Sequence, residues 1–225
     1  MGVPGVAPLR ITLFGGLQVN ETVVTAYCVT IAILIFSLVV RFILLPRFKA
    51  TPTGLQNVLE MSVSMVRSFS QSVLGDVGDT IAPYMLTLVY FLVFSGMLDL
   101  FGVRIPATDL NFTISIALIT WILMFVYAIR YRGVKGWLKG YAAPVSFIAP
   151  FKVISDFIIP VSLSFRLFGN MFAGLMIMDM VYGALGVFAI GLPALMNIYF
   201  TLFDVAMQTF VFVILTLSYI KEKVE

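Results

Sequence analysis

The chain has 225 residues, of which 61% are hydrophobic and 11% are charged, and its formal net charge at neutral pH is +3. Soluble globular domains contain about 25% charged residues, so this composition excludes a water-soluble fold and predicts an all-α integral membrane protein without a separate soluble domain. The basic residues lie mostly between apolar segments, which excludes a nucleic-acid-binding surface and makes their positions a signal of membrane topology.

The first predicted elements are a short N-terminal segment, residues 1–22, and a membrane span over residues 23–45. About 20 consecutive apolar residues suffice to cross the hydrocarbon core of a bilayer, and this run is long enough. Basic residues and a proline mark its end, namely Arg41, Pro46, Arg47 and Lys49.

Residues 50–78 are predicted to form an amphipathic helix. Its apolar residues recur at helical spacing, whereas polar residues such as Glu60 and Arg67 fall largely elsewhere; the apolar set is Leu55, Val58, Leu59, Val63, Val66, Phe69 and Val73. Such a helix is typical of the membrane surface, so we predict that it lies in the interface and does not cross the bilayer.

Two further spans are predicted over residues 81–100 and 112–130, and a polar turn containing Asp99 and Asp109 joins them. Residues 130–149 then form a basic loop. The loop after the first span and the C-terminal KEKVE are basic as well. Because basic loops stay on the cytoplasmic side, we predict that the N-terminus lies outside and the C-terminus is cytoplasmic.

The remainder of the chain must then cross the membrane an even number of times, and one helical hairpin satisfies this. We predict helices over residues 150–190 and 194–220, with Gly191 and Pro193 marking the turn. A helix of about 30 residues is about 45 Å long, whereas the hydrocarbon core is about 30 Å thick. The two helices are therefore predicted to be long and strongly tilted, or partly parallel to the membrane.

The chain has no histidine and a single cysteine, Cys28. The commonest metal ligand and the usual proton carrier at neutral pH are thus missing, and we expect neither a metal site nor a cofactor. One thiol forms no intrachain disulfide, so we interpret Cys28 as a buried structural residue. Any proton relay must use carboxylates, amides, hydroxyls or water.

Arg166 lies within the apolar stretch SLSFRLFGNMFAG, in the first helix of the predicted hairpin. Arginine does not lose its proton to escape the cost of burial. Three interpretations follow: the side chain reaches back to the surface, it faces an aqueous cavity or a partner's charge, or it forms an ion pair with Asp179, Asp204, Asp99 or Asp109. A functional role is the default for an ionisable residue inside a membrane.

The neighbours of Arg166 favour the functional interpretation. Asn170 follows one helical turn later on the same face and can form hydrogen bonds at that depth. Small residues leave the nearby surface almost bare and allow another helix to approach closely; they are Gly169, Ala173 and Gly174. The alternative explanation for these small residues is ordinary packing within the chain.

The returning helix carries Asp204 and Gln208 four residues apart, and therefore on one face. One alternative gives Gln208 an interhelical hydrogen bond and pairs Asp204 with Arg166. Asp179 lies thirteen residues after Arg166, so it points to nearly the opposite side of its helix. The helix thus carries Arg166 on one face and Asp179 on nearly the opposite face. This arrangement is expected of a helix that separates a partner protein from an aqueous compartment.

The stretch SLSFRLFGNMFAG followed by QTFVFVILTLSYI closely resembles subunit a of F-type ATP synthases. GMLDLFG, ATDLNFTISIAL and RYRGVKGWLKG resemble the family at the same relative places, so the resemblance covers nearly the whole chain. It implies that Arg166 faces the carboxylate of the rotating c-ring and that Asn170 and Gln208 support it. It also implies contacts of the small residues with the ring.

The resemblance further implies a non-catalytic stator subunit that couples H⁺ or Na⁺ flow to ring rotation through two aqueous half-channels. The implied partners are the c-ring, the peripheral-stalk subunit b and the lipid bilayer, without nucleic acid or cofactor. A bacterial plasma (inner) membrane is the expected location, with an organellar inner membrane as the alternative. A self-contained secondary transporter or channel, with Arg166 as an anion site, is the alternative function, although no internal repeat is evident.

The sequence departs from the family pattern at two places. Leu175 stands where many relatives have a glutamate, and Thr201 stands where many have a histidine or an acid. Asp179 and Asp204 each lie one helical turn further along, so we infer that they replace these residues in the ion-access channel. Further channel candidates are Asp99, Asp109 and Glu60.

Overall fold

The computed structural model describes residues 10–13, 17–49, 54–142, 149–185 and 191–224. Helices dominate these residues, and five helical segments are long and apolar enough to cross a membrane: Glu21–Arg47, Val77–Phe101, Leu110–Leu138, Ala149–Ala184 and Leu195–Val224. The predicted all-α integral membrane fold with five spans is confirmed. The chain divides into two compact units, Met1–Pro106 and Ala107–Glu225, which are taken in turn below.

The first unit opens with a two-stranded antiparallel ribbon that the sequence did not suggest. Strand β1 is Arg10–Leu13 and strand β2 is Leu17–Asn20, with Arg10 opposite Asn20 and Leu13 opposite Leu17. The predicted N-terminal segment therefore contains short regular structure immediately before the first helix.

The first span is one continuous helical segment whose geometry changes along its length. Helix α1 is Glu21–Val39, a π-helical turn follows at Val40–Leu44, and a 3-10 turn at Leu45–Arg47 ends the segment. Pro46 explains the change, because it lacks an N–H donor and its ring clashes with the carbonyl four residues earlier in a regular α-helix.

Helix α1 packs little against the rest of the chain. Its buried residues are Thr22, Thr25 and Val29. The thiol of Cys28 is exposed, so the interpretation of Cys28 as a buried residue was wrong. Because the helix surface around it is apolar, Cys28 lies on a surface suited to lipid or to another membrane helix.

Helices α2, Leu55–Leu74, and α3, Val77–Met97, are joined by a tight turn at Gly75, whose φ of 59° suits glycine. A 3-10 turn, Leu98–Phe101, extends α3. The amphipathic helix predicted over residues 50–78 is thus shorter, and residues 50–53 lie outside the described residues.

Helix α2 runs antiparallel alongside α3. Arg67 Nε lies 2.6 Å from Asp79 Oδ1 near the turn, and the Ser62 and Tyr90 hydroxyls are 2.6 Å apart further along the pair. The hydrogen bond and the charge of Asp79 raise the pKa of Arg67. The position of α2 in the membrane interface stays a prediction.

The second unit opens with helix α4, Leu110–Ala142. The residues predicted as a basic loop, 130–149, are therefore helical as far as Ala142, and that part of the prediction was wrong. The chain kinks at Gly133, which has φ 69° and ψ 162°, conformations that glycine adopts without strain. After the kink, Trp137 lies edge-to-face against Phe125 with ring centroids 5.8 Å apart, and this packing holds the extra turns in place.

The last two helices are α5, Ala149–Leu185, and α6, Leu192–Val224. The predicted long hairpin is present, and α5 continues through Pro160 without ending. Pro193 lies in the first turn of α6 and not in the connection, as expected for a residue without an N–H donor at a helix start. Residues 186–190, part of the predicted first helix, lie outside the described residues.

Candidate functional site

Helices α5 and α6 pack antiparallel in a constant register. Asp156 contacts Lys223, Asn170 contacts Gln208, and the backbone at Gly174 meets Asp204. The fourteen positions from Asp156 to Asn170 on α5 are matched by fifteen positions from Lys223 back to Gln208 on α6. Four further positions on α5 are matched by four on α6. The hairpin therefore keeps its alignment over about 27 Å, at 1.5 Å per residue.

Arg166 lies on the outward face of α5 in this unit. Arg166, Gly169, Asn170 and Ala173 are all exposed, whereas the buried face of the same turns carries residues such as Leu167. Within the part of the second unit that the structure describes, Arg166 forms neither an ion pair nor a hydrogen bond. The expected alternative of a structural pair with Asp204, Asp179 or Asp109 thus finds no support in the geometry.

Asn170 and Gln208 meet as one amide pair. Asn170 Nδ2 donates a hydrogen bond of 2.8 Å to Gln208 Oε1. Gln208 is 2% exposed, whereas Asn170 is exposed on the face that carries Arg166. The pair therefore connects the interior of the hairpin to the outward face, one helical turn from the arginine.

Asp204 lies against α5 at Gly174. A Cβ atom at Gly174 would stand 2.6 Å from Asp204 Oδ2, so the carboxylate occupies the space that the glycine leaves free. The side of α5 that Gly174 leaves bare therefore faces α6 of the same hairpin. The expected contact of Gly169, Ala173 and Gly174 with the ring stays a prediction.

Asp179 is exposed on α5 and lies about 20 Å along the helix axis from Arg166, thirteen residues away at 1.5 Å per residue. From Arg166 toward the hairpin turn, polar groups thus follow at intervals of one to two turns. In order they are Asn170 with Gln208, Asp204 beside Gly174, and Asp179. We call this set the polar row.

The other acidic candidates occupy separate places. Asp109 begins α4, where its Oδ1 accepts a 3.0 Å hydrogen bond from the Asn111 backbone N–H, as expected of a helix cap. In the first unit, Glu60 lies on α2 and accepts a 2.8 Å hydrogen bond from Gln56 Nε2. Asp99 lies in the 3-10 turn after α3.

A buried ion pair at the other end of the hairpin was missed by sequence reasoning. Lys223 Nζ lies 2.5 Å from Asp156 Oδ1, and their side chains are only 11% and 5% exposed. Trp121 Nε1 on α4 also donates a 2.7 Å hydrogen bond to the backbone oxygen of Asp156. The signal was available, because an ionisable residue in an apolar run requires a partner.

The described residues contain no group of three histidine, cysteine, aspartate or glutamate side chains that could hold a metal ion. The chemistry available at Arg166 and the polar row is that of a permanent cation, an amide pair and two carboxylates. The cation attracts a negative charge, whereas the carboxylate and amide oxygens bind cations or accept hydrogen bonds from water.

The fold and the site together define a multi-pass integral membrane protein with a cation and a polar row in its last helical hairpin. The sequence model of the ATP synthase A chain family matches residues 23–221, and the chain belongs to this family. The chain is therefore a protein of ATP synthesis and ion transport.

Curated relatives agree along most of the chain. The ATP synthase subunit a of Moorella thermoacetica is 32% identical over 220 residues, which cover 96% of this chain and 95% of the relative. That of Alkalihalophilus pseudofirmus is 33% identical, covering 94% and 95%. A relative from Propionigenium modestum, named as sodium ion specific, is 34% identical over 154 residues, which cover 61% of this chain and 52% of the relative.

Proposed function

We propose that this chain is the ion-translocating stator subunit of a rotary F-type ATP synthase, in which Arg166 faces the ion-binding carboxylate of the rotor c-ring. The observation that carries the proposal is the placement of Arg166. It is exposed on α5 beside Gly169 and Ala173, and within the described part of its unit it has no counter-charge. A permanent cation on a membrane-helix face without another charge requires a negative partner.

The arginine acts on the rotor by electrostatics. A rotor carboxyl group that arrives loaded with an ion is favoured in its ionised form beside Arg166, because an opposite charge nearby stabilises the carboxylate. It releases its ion into one aqueous half-channel and reloads from the other after it has passed. The fixed charge also repels free cations, so that ions do not leak directly between the two half-channels.

We propose that the polar row lines one of these half-channels. Gln208, Asp204 and Asp179 follow Arg166 toward the hairpin turn, on or between α5 and α6. Asp204 and Asp179 can bind a cation or take up a proton and hand it on, whereas the amide of Gln208 holds its position through Asn170. Asp179 thereby replaces the glutamate that many relatives carry at the position of Leu175, and Asp204 replaces the histidine or acid that many carry at the position of Thr201.

The membrane potential supplies the driving force. Each elementary charge that crosses it is worth about 2.3 kcal/mol per 100 mV. No covalent bond is formed or broken in this chain, which is therefore non-catalytic. We propose H⁺ or Na⁺ as the coupling ion, the c-ring and the peripheral-stalk subunit b as partners, and a bacterial plasma membrane as the location.

Exchange of Arg166 tests the proposal. In vesicles that contain the assembled synthase, Arg166→Ala should abolish ATP-driven ion pumping, and Arg166→Lys should restore it only in part, since lysine lacks the planar fork of arginine. Arg130→Ala removes an exposed arginine from α4 and should leave pumping unchanged. Normal pumping by Arg166→Ala would refute the stator function.

Cross-linking tests the partner separately. In a background with Cys28→Ser, a cysteine at Ala173, on the exposed face, should form a disulfide with cysteines placed on a c-ring helix. A cysteine at the buried Met178 is the matched control and should not react. Reaction of the Ala173 cysteine only with segments of its own chain would show that the arginine face is internal.

A further inference from the structure

The first unit contains a half-enclosed cavity of about 560 Å³ that the proposed ion path does not use. It lies between the end of the first span, α2 and α3. Its walls are mainly apolar, and its lining residues include Ile33, Phe36, Val40, Leu45, Val63 and Tyr90. The size falls within the range of about 300–1,000 Å³ that is usual for ligand sites, and it is far larger than the ~30 Å³ of one water molecule.

The cavity has the length of one lipid leaflet. Its lining follows the first span from Leu45 back to Ile33, twelve positions or about 18 Å at 1.5 Å per residue. Half of the hydrocarbon core is about 15 Å. The wall that the first span contributes is therefore about as long as one lipid leaflet is thick.

The π-helical turn Val40–Leu44 forms part of this wall. Val40 and Leu45, at its two ends, both line the cavity, and π-helical turns are frequent at functional sites. The turn also changes the direction of the side chains that follow it. Phe48, which follows the 3-10 turn with an extended backbone, also lines the cavity.

Positive charge predominates at the end of the cavity where the span finishes. Arg41, Arg47 and Lys49 are exposed beside the lining residues Val40, Leu45 and Phe48. Two charged residues also line the cavity itself. Glu60 accepts a hydrogen bond from Gln56, and Arg67 is paired with Asp79.

The connection after the span is held near this end. Gln56 Nε2 donates a 2.7 Å hydrogen bond to the Lys49 backbone oxygen, and Gln56 Oε1 accepts one of 3.0 Å from the Lys49 N–H. This double contact fixes the backbone that carries Lys49 beside the start of α2. Arg41, Arg47 and Lys49 are thus adjacent in the chain to residues that line this end of the cavity.

We propose that this cavity binds an anionic phospholipid, with an acyl chain between the first span, α2 and α3, and the phosphate group near Arg47 and Lys49. An acyl chain fits an apolar cavity that opens within the hydrocarbon region, because it leaves no polar group unsatisfied there. Basic residues at the end of a span attract an anionic headgroup, because opposite charges attract strongly at the membrane surface. The inference concerns the first unit and does not rest on the proposed role of Arg166.

Photolabelling tests this site. The assembled complex is placed in phosphatidylcholine vesicles that contain a trace of phosphatidylglycerol with a diazirine in one acyl chain, or of phosphatidylcholine with the same chain. After irradiation, labelled peptides are identified by mass spectrometry. We expect several-fold more label from phosphatidylglycerol on the peptides that contain Ile33–Leu45 and Leu59–Arg67.

Two kinds of variant separate a site from general lipid contact. Arg47→Gln/Lys49→Gln should reduce the phosphatidylglycerol label to the phosphatidylcholine level, whereas Arg130→Gln/Lys135→Gln, which removes two exposed charges from α4, should not. Ser64→Phe fills the cavity and should remove label from both lipids. The amount of chain in the membrane is measured for every variant.

The outcomes decide the proposal. Equal labelling by the two lipids, or a preference that survives Arg47→Gln/Lys49→Gln, would mean nonspecific lipid contact and would overturn it. Label missing from these peptides, with a second subunit cross-linking to them instead, would assign the cavity to a partner helix. That result would overturn the proposal as well.

Discussion

Asn170 on α5 and Gln208 on α6, 38 positions apart in the sequence, are joined by a hydrogen bond of 2.8 Å between Nδ2 and Oε1. The bond links a buried side chain to an exposed one beside Arg166. Because the hairpin is in register on both sides of this bond, the amide pair fixes the rotation of α5 about its axis. The direction in which Arg166 points depends on that rotation.

Removal of this amide pair should reduce coupled ion transport more than it affects assembly. An interhelical hydrogen bond in a membrane is worth about 0.6 kcal/mol and at most about 1.7 kcal/mol, so the hairpin should persist without it. We expect Asn170→Ala and Gln208→Leu each to lower ATP-driven pumping several-fold. The double variant should pump no more slowly than the slower of the two single variants, because the two residues act as one unit.

Thermal unfolding measures the stability of the same variants and so tests the amide pair independently of pumping. Asn170→Ala leaves the buried Gln208 amide without its partner, which costs about 1–3 kcal/mol, whereas Asn170→Ala/Gln208→Leu removes the stranded group. The double variant should therefore be the more stable of the two. The opposite ordering would contradict the pairing, and Asn197→Ala, elsewhere on α6, serves as the control.

Substitution of Gly174 should alter the position of Asp204. An alanine Cβ would stand 2.6 Å from Asp204 Oδ2, so the carboxylate must move. We expect Gly174→Ala to lower ion flux several-fold and Gly174→Val to lower it further, both with normal assembly. Gly183→Ala is the matched control, since a Cβ there would meet no side chain or neighbouring helix within 4 Å among the residues that the structure describes. Unchanged flux in Gly174→Val would mean that the position of Asp204 does not matter.

Neutralisation of the two acids of the polar row tests the ion path. Asp179→Asn and Asp204→Asn should each slow H⁺ or Na⁺ flux in vesicles, because an amide neither takes up a proton nor balances a cation's charge. The double variant should be slower than either. The amount of assembled complex is the accompanying measurement, and it should not change. If both single variants keep full flux, the path runs elsewhere, with Glu60, Asp99 and Asp109 as the next carboxylates to exchange.

The buried pair of Asp156 and Lys223 should matter for stability. Loss of one partner strands the other charge inside the protein and is expected to cost about 3–5 kcal/mol. Asp156→Asn and Lys223→Met should therefore each lower the amount of chain in the membrane and its unfolding temperature. The double variant Asp156→Leu/Lys223→Met should regain most of the loss, because two apolar residues need no partner there.

A simple surface contact would behave differently. If Asp156→Asn and Lys223→Met were no less stable than a variant of an exposed charge such as Glu222→Gln, the pair would not be holding the hairpin. Pumping per assembled complex distinguishes this structural effect from an effect on the ion path, and it should remain near normal in the double variant.

The sequence determined the membrane fold, because the apolar runs that cross a bilayer are set by composition and length. The number and order of the five spans and the long hairpin were predicted, although α4 continues well beyond the predicted end of the third span. The sequence pattern predicted the end of a helix wrongly where packing between residues distant in the sequence determines that end. The packing of Trp137 on Phe125 after the kink at Gly133 extends α4 into the predicted loop, and no periodicity before that point signals it.

For the site, spacing along one helix was sufficient to place Arg166 with Asn170 and Asp204 with Gln208 on common faces, since 3.6 residues make one turn. Spacing does not define which residues of two helices meet, because that depends on their register and rotation. Only the tertiary structure paired Asn170 with Gln208, set Gly174 against Asp204 and joined Asp156 to Lys223. Each of those three contacts joins residues at least 30 positions apart in the sequence. A local sequence pattern does not predict which of such distant residues come into contact.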